Sequence, residues 1–193
     1  MTADIVELQP RILPGDLAIW FFIFAGLLVF GIFFIVYSVQ YAQNTELFNQ
    51  YQQTLNRETG AINTVLLITS SYFVVRAVQA IKNDDVQSCV NWLYAALAMG
   101  TGFILLKSYE YYDKLLAGIT LDTNTFYFFY LSLTSFHFLH VVLGMIILAG
   151  VVVKARNSKY SATEHTGVES GAVYWHMVDL VWVILFPLVY IIR

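Results

Sequence analysis

Five stretches in which apolar side chains follow one another almost without charge dominate the chain, at residues 17–39, 61–81, 90–109, 126–153 and 172–192. Each approaches or exceeds the roughly 20 residues that a helix needs to cross a ~30 Å hydrocarbon core. Barrel strands would instead show segments of about 10 residues with alternating polarity. A segment inside lipid must also satisfy its own backbone hydrogen bonds, which a helix does. The pattern therefore predicts an all-α fold, a polytopic membrane bundle of five transmembrane helices forming one domain over residues 1–193. The polar stretch 40–60 is the longest connection. Pro14-Gly15-Asp16 reads as a turn and cap before the first helix. Residues 1–16 carry acids and two prolines and do not read as a cleavable signal.

Composition strengthens this picture. Of 193 residues, 59% are hydrophobic and 12% charged, about half the charge of an ordinary soluble domain. Such a chain cannot cover a water-facing surface of normal polarity, so lipid is its expected solvent. A net charge of −3 gives no case for a nucleic-acid partner. The single cysteine, Cys89, excludes a disulfide framework and a multi-cysteine metal site.

Five crossings put the two chain ends on opposite sides. Six basic residues (Arg11, Arg76, Lys82, Lys154, Arg156 and Lys159) fall on the N-terminal side, and four (Arg57, Lys107, Lys114 and Arg193) on the other. Lysine and arginine accumulate on the cytoplasmic side of membranes. The bias, and the cluster at Lys154, Arg156 and Lys159, predict a cytoplasmic N-terminus and an outside C-terminus, in a plasma (inner) membrane.

Ionisable groups at membrane depth are costly and default to functional or interhelical roles. The spans and their ends hold Arg76, Lys107, Glu110, His137, His140, His176 and Asp179. Arg76 and Lys107, near predicted helix ends, read as side chains that reach back to the interface. Lys107 and Glu110 stand three apart and can pair. Glu110, between Tyr109 and Tyr111, otherwise reads as an interfacial residue. The histidines admit two readings: haem or metal ligation, or interhelical hydrogen bonds and lipid head-group contacts. Four histidines in all and no Cys-x-x-Cys-His sequence favour the second. Asp179, three residues after His176, reads as half of a His–Asp pair that joins helices. The spans show no nucleophile, no phosphate loop and no convincing redox ligand set, so the residues point to a non-catalytic helical protein.

Four motifs then bring a family into view. Tyr174-Trp175-His176-Met177-Val178-Asp179-Leu180-Val181-Trp182 closely resembles the Tyr-Trp-His-Phe-Val-Asp-Val-Val-Trp run in the last helix of subunit III of haem-copper cytochrome c oxidases. Phe136-His137-Phe138-Leu139-His140-Val141 is similar to that family's Phe-His-x-Leu-His-Val. Glu110-Tyr111 is similar to its Ser-Glu-Tyr element, with Tyr109 in place of serine. His165-x-Gly167-x-Glu169 resembles its His-x-Gly-x-Glu loop. Asn63-Thr64 also fits, and the resemblance runs from about Pro14 to the end. The chain looks like a five-helix form lacking the first pair of seven. Its opening, from Pro14 to Phe22, resembles short members associated with nitric oxide reductase. One departure is evident: where the family usually has a glutamate in the first of these helices, this chain has Gly26, so a proton-buffering role does not carry over to that helix.

The resemblance implies an accessory subunit docked on the haem-bearing catalytic subunit of a haem-copper oxidase or nitric oxide reductase. It binds no cofactor itself and holds phospholipid. Arg76, His140, Arg156, His165, Glu169 and His176 would hold a lipid head group and lock the bundle, with Glu110, His137 and Asp179 as further lipid-binding or structural polar groups. Gly26 and Gly31 are expected near the partner. Two other readings stand beside this one: a stand-alone membrane b-type cytochrome using His140 and His176, and a small transporter using Glu110 and Asp179.

Overall fold

The computed structural model describes residues 16–192; the turn expected at Pro14-Gly15 lies outside them. The described residues form α1 (Leu17–Gln43), α2 (Thr45–Gln52), α3 (Arg57–Lys82), α4 (Val86–Leu116), α5 (Thr125–Arg156) and α6 (Thr166–Phe186), with a π-helical turn at Pro187–Ile191. All but α2 are long and apolar enough to cross a membrane. Asp16, Asn56, Asp85 and Asn124 cap α1, α3, α4 and α5, each side chain accepting a backbone N–H of the first turn, one of the donors that a helix start leaves open.

Each consecutive pair of long helices from α3 to α6 is in contact, and α3 also meets α6, so these four close a ring; α1 lies outside it against α5 and α6. Its buried positions are few, at Ile23, Gly26, Phe30 and Tyr37. Spacings of three, four and seven put them on one stripe, and the rest of α1 is an apolar surface with Phe21, Phe24, Leu28, Ile32 and Ile35 exposed. We call the end of the bundle holding the start of α1, the α3–α4 turn and the α5–α6 loop the first end. The opposite end, with α2, the α4–α5 loop and the π turn, is the second.

The helices extend beyond the apolar runs because their last turns carry polar residues. The difference is largest for α4, which continues past 109 through Glu110, Tyr111, Tyr112, Asp113 and Lys114. The stretch expected as an open connection contains α2. With Leu47, Phe48 and Tyr51 on one face of an otherwise polar segment, it is too short and polar for a search based on long apolar runs. Phe48 is buried between Tyr37, Tyr41 and Phe126. Gln52 Nε2 donates to the Val189 carbonyl at 3.0 Å. Pro187, which lacks an N–H, opens the π turn, and the Ile192 N–H bonds the Pro187 carbonyl at 2.9 Å.

Close approach of α5 to α6 requires a glycine. A Cβ on Gly144 would stand 2.8 Å from Trp175 Cε3 and 3.0 Å from Cζ3, whereas one on Gly26 would meet His140 Nε2 at 3.5 Å, an ordinary contact. Gly144→Ala should therefore cost about 1–3 kcal/mol. Gly26→Ala should leave stability unchanged or raise it by up to about 1 kcal/mol. The single thiol, Cys89, is buried, so the temperature at which a thiol-reactive dye labels the protein in detergent measures both; equal labelling temperatures would refute this packing.

Candidate functional site

Lys107 sits inside the ring rather than at its edge. Its side chain is 0% exposed, and the interface-seeking role expected of it is corrected by the length of α4. Leu116, the last residue of α4, stands nine positions further on, so at 1.5 Å rise Lys107 lies about 13 Å from the helix end. Its ammonium donates to Glu110 Oε2 at 3.1 Å, to Tyr190 Oη at 2.7 Å and, at longer range, to Tyr130 Oη at 3.4 Å. Glu110 Oε1 in turn accepts from Tyr130 at 2.5 Å and Tyr190 at 2.8 Å. The rings of Tyr130, Tyr111, Tyr190 and Trp182 surround the ammonium at 5.0 to 5.7 Å. The charge is thus matched, hydrogen-bonded and caged by π faces. The expected Lys107–Glu110 pairing is present, but Glu110 is buried, not interfacial.

His137 lies deeper in the same bundle. It is 0% exposed, its ring 5.1 Å from Trp182, 5.8 Å from Phe103 and 6.3 Å from Phe30. Neither nitrogen has a hydrogen-bond partner among the described residues. Enclosed by rings, it reaches no head group, so it contributes to packing. Trp182 Nε1 donates to Thr64 Oγ1 at 2.9 Å, joining α6 to α3.

The remaining expected residues do not converge on one site. His140 faces α1: its Nδ1 bonds its own Phe136 carbonyl at 2.8 Å, and Phe30 and Phe136 cover the ring at 5.2 and 4.6 Å. His176 faces α3, its Nδ1 2.6 Å from Ser71 Oγ. Asp179 is half-buried beside the same Ser71; its Oδ1 is enclosed and takes no bond among the described residues. The expected His176–Asp179 pair is therefore replaced by a seam in which both meet a hydroxyl of α3. At the first end, Lys82 bridges Glu169 at 2.8 Å and His165 approaches the same carboxylate at 3.4 Å. Lys82, Glu169 and His176 line a groove of about 240 Å³ whose other walls are Val75, Val78, Gln79, Ala172 and Val173. Arg156 bonds Tyr94 at 3.1 Å. Arg76 is exposed and lies over Trp92, 5.4 Å from the ring centre. Gly26 faces His140 and Met177, not an outside partner, while Gly31 has open space beyond its Cα.

Sequence reasoning missed Ser71, Lys82, Tyr130 and Tyr190. The two tyrosines carry no formal charge, so nothing in the sequence sets them beside the ionisable groups. Ser71, like Ser70, which donates to the Ala96 carbonyl at 2.9 Å, belongs to the hydroxyl-bearing small residues that join membrane helices. That pair was the available signal.

Among the described residues no three His, Cys, Asp or Glu side chains gather as metal ligands would. The family model for cytochrome c oxidase subunit III matches residues 15–193. A protein named cytochrome c oxidase subunit 3 from Thermostichus vulcanus is 42% identical over 132 residues, covering 68% of this chain and 64% of that protein. The chain thus spans less than two thirds of that relative's length. A probable cytochrome c oxidase subunit 3 from Nocardia farcinica is 28% identical over 185 residues, 96% of this chain and 90% of that protein. A heme-copper oxidase subunit I+III from Aeropyrum pernix is 29% identical over 181 residues, which cover 91% of this chain but 22% of that protein.

The caged ion pair generates a direct expectation. Tyr190→Phe removes a hydroxyl that both accepts from Lys107 and donates to Glu110, so it should lower stability by about 1.5–3 kcal/mol, as bonds to charged groups do. Tyr109→Phe, at a residue 70% exposed, should change nothing. Chemical unfolding followed by Cys89 labelling makes the comparison, and equal stability of the two variants would remove the cage from the account.

Proposed function

This chain belongs to the cytochrome c oxidase subunit III family, and from that premise we propose that it is a non-catalytic accessory subunit of a haem-copper respiratory complex. The observation that carries the reading is the Aeropyrum relative, in which a region similar to nearly all of this chain forms part of a single protein named for subunits I and III together. A partnership that one chain makes covalently, this chain would make by docking. The partner is then the haem-bearing catalytic subunit of a haem-copper oxidase. A nitric oxide reductase stands as second candidate on the resemblance of Pro14 to Phe22 alone.

The geometry is consistent with support rather than chemistry. The buried ion pair and the Ser71 seam direct polar groups at neighbouring helices. His140 and His176 turn to different helices, α1 and α3, an arrangement unsuited to bracketing one haem between them. Glu110 is engaged by a lysine and two tyrosines, which leaves it no free path for transport. The exposed apolar face of α1 and the groove between α3 and α6 remain available to membrane neighbours. We assign the groove to phospholipid, an acyl chain along Val75, Val78 and Val173 and a head group at Lys82, His165 and Glu169. In this reading the first end is cytoplasmic, where basic residues collect, and the membrane is the plasma membrane.

Affinity purification of the tagged chain from native membranes in mild detergent tests the proposal. A haem-containing catalytic subunit should accompany it, with absorbance in proportion to that subunit, and the chain produced alone should show no Soret band. A stoichiometric b-type spectrum from the isolated chain, lost in His140→Ala, would establish the cytochrome reading instead.

A further inference from the structure

Oxidisable rings stand in an unbroken row from the middle of the bundle to its second end. Trp182 of α6 lies 6.4 Å from Tyr190 of the π turn, and Tyr190 lies 6.1 Å from Tyr130 of α5. Tyr130 is 6.4 Å from Tyr127, and Tyr127 is 5.5 Å from Tyr51 of α2, all measured between ring centres. At such separations neighbouring rings are in or near contact. Trp182, Tyr190 and Tyr130 are 0% exposed and Tyr127 3%, whereas Tyr51 is only partly buried, on the helix that covers the second end. Every member of the row is an indole or a phenol, side chains that yield one electron far more readily than a phenylalanine ring. The phenylalanines of the same core, Phe48, Phe103 and Phe126, stand beside the row and not in it.

A phenol releases an electron readily only when its proton can leave at the same time, so the hydroxyl partners matter as much as the rings. Tyr190 and Tyr130 donate to the same oxygen, Glu110 Oε1, at 2.8 and 2.5 Å. One carboxylate can therefore take the proton of either phenol and return it to the other. Tyr127 Oη lies 2.8 Å from Thr54 Oγ1, and Thr54 is exposed, which gives that hydroxyl a route to water. Packing requires rings, but it does not require that buried phenols share a proton acceptor.

We propose that this row carries an oxidising equivalent out of the bundle, from Trp182 to Tyr51, and so protects the buried core against oxygen-derived radicals. The radical takes one electron from Trp182. Tyr190 replaces that electron and passes its proton to Glu110. Tyr130 next gives its electron to Tyr190 and its proton to Glu110, while Glu110 returns the first proton to Tyr190. Tyr127 reduces Tyr130, which recovers a proton from Glu110, and the Tyr127 proton leaves by Thr54. Tyr51 reduces Tyr127, which is reprotonated by the same route, and the Tyr51 proton passes to water. A water-soluble hydrogen-atom donor, such as a thiol or an ene-diol, then restores Tyr51. The net change is one electron delivered to the radical, one hydrogen atom drawn from the donor and one proton released to water. The proposal goes beyond the accessory-subunit reading and does not rest on it, since every group in the row belongs to this chain.

The test ejects an electron from tryptophan by illuminating the purified protein in detergent at wavelengths that tryptophan absorbs and tyrosine does not. A pentaamminecobalt(III) salt takes up the electron irreversibly. A nitrosoalkane spin trap marks tyrosyl radicals, and its adducts are located by mass spectrometry. The parent should carry more adduct on Tyr51 than on Tyr109, although Tyr109 is 70% exposed. Trp182→Phe should lose most of the Tyr51 adduct. Tyr130→Phe and Tyr127→Phe interrupt the row at two points, and each should remove the Tyr51 adduct while leaving that on Tyr109 unchanged. Unchanged Cys89 protection will show that the variants are folded; Tyr127→Phe leaves the Glu110 bonds in place and is decisive if Tyr130→Phe loosens the bundle. Tyr51→Phe should prolong the tyrosyl signal seen by electron paramagnetic resonance, because the row then ends at a buried ring. Adduct on Tyr51 no greater than on Tyr109, parental Tyr51 adduct in folded Tyr127→Phe, or an unchanged signal lifetime in Tyr51→Phe would each overturn the proposal.

Discussion

An ammonium group about 13 Å from the nearest end of its helix cannot reach water, and on insertion scales a lysine at membrane depth costs about 2.5–3.5 kcal/mol. Lys107 is in that position, fully enclosed, and much of the second end of the bundle is arranged around it. Glu110 supplies the opposite charge from the same helix. Tyr130 brings α5 and Tyr190 brings the C-terminal turn to the pair. Tyr190 is presented by the π turn that begins at Pro187, and the Val189 carbonyl in that turn is taken up by Gln52 of α2. One buried charge thereby ties together α4, α5, the π turn and, through it, the short helix that covers this end.

The five crossings were legible because a membrane leaves few alternatives: a long apolar run must be a helix, and its length is fixed by bilayer thickness. What could not be read was where polarity ceases to mean interface. Lys107 and Glu110 looked like the wet end of a helix because the apolar run stops there. The helix in fact continues through Lys114, and the polar residues turn inward to tyrosines from distant parts of the chain. Such partners are set by tertiary packing, which no periodicity announces. The helix α2 escaped for the opposite reason, since its apolar residues, Leu47, Phe48 and Tyr51, are too few for a run yet correctly spaced for a face. At His176 and Asp179 the sequence identified the right residues but the wrong partner, as Ser71 carries no charge to draw attention. Gly26 shows the converse: its small size reads as an outward contact, but it faces His140 within the bundle.

These internal contacts shape what the protein can offer its surroundings. A four-helix ring pinned at one end by an ion pair and along α3 and α6 by Ser71 and Thr64 is a firm scaffold, and α1, held along one narrow stripe, is its least committed element. Membrane helices associate through packing and polar bonds rather than through a hydrophobic drive. A scaffold whose buried polar groups are directed inward can therefore hold its form while its apolar faces adapt to lipid or to a larger subunit. That division suits an accessory subunit of a haem-copper complex.

The central claim is that Lys107 and Glu110 act as one unit, and a double-mutant cycle measures it. Lys107→Met, Glu110→Gln and the double variant are compared with the parent in denaturant unfolding, followed by Cys89 labelling. Breaking one side of a buried pair typically costs about 3–5 kcal/mol, and removing both should cost less than the sum. A coupling of about 2 kcal/mol or more is predicted. Effects that add to within about 0.5 kcal/mol would contradict the account, because they would mean that the two charges are stabilised independently and that the bundle does not depend on their pairing.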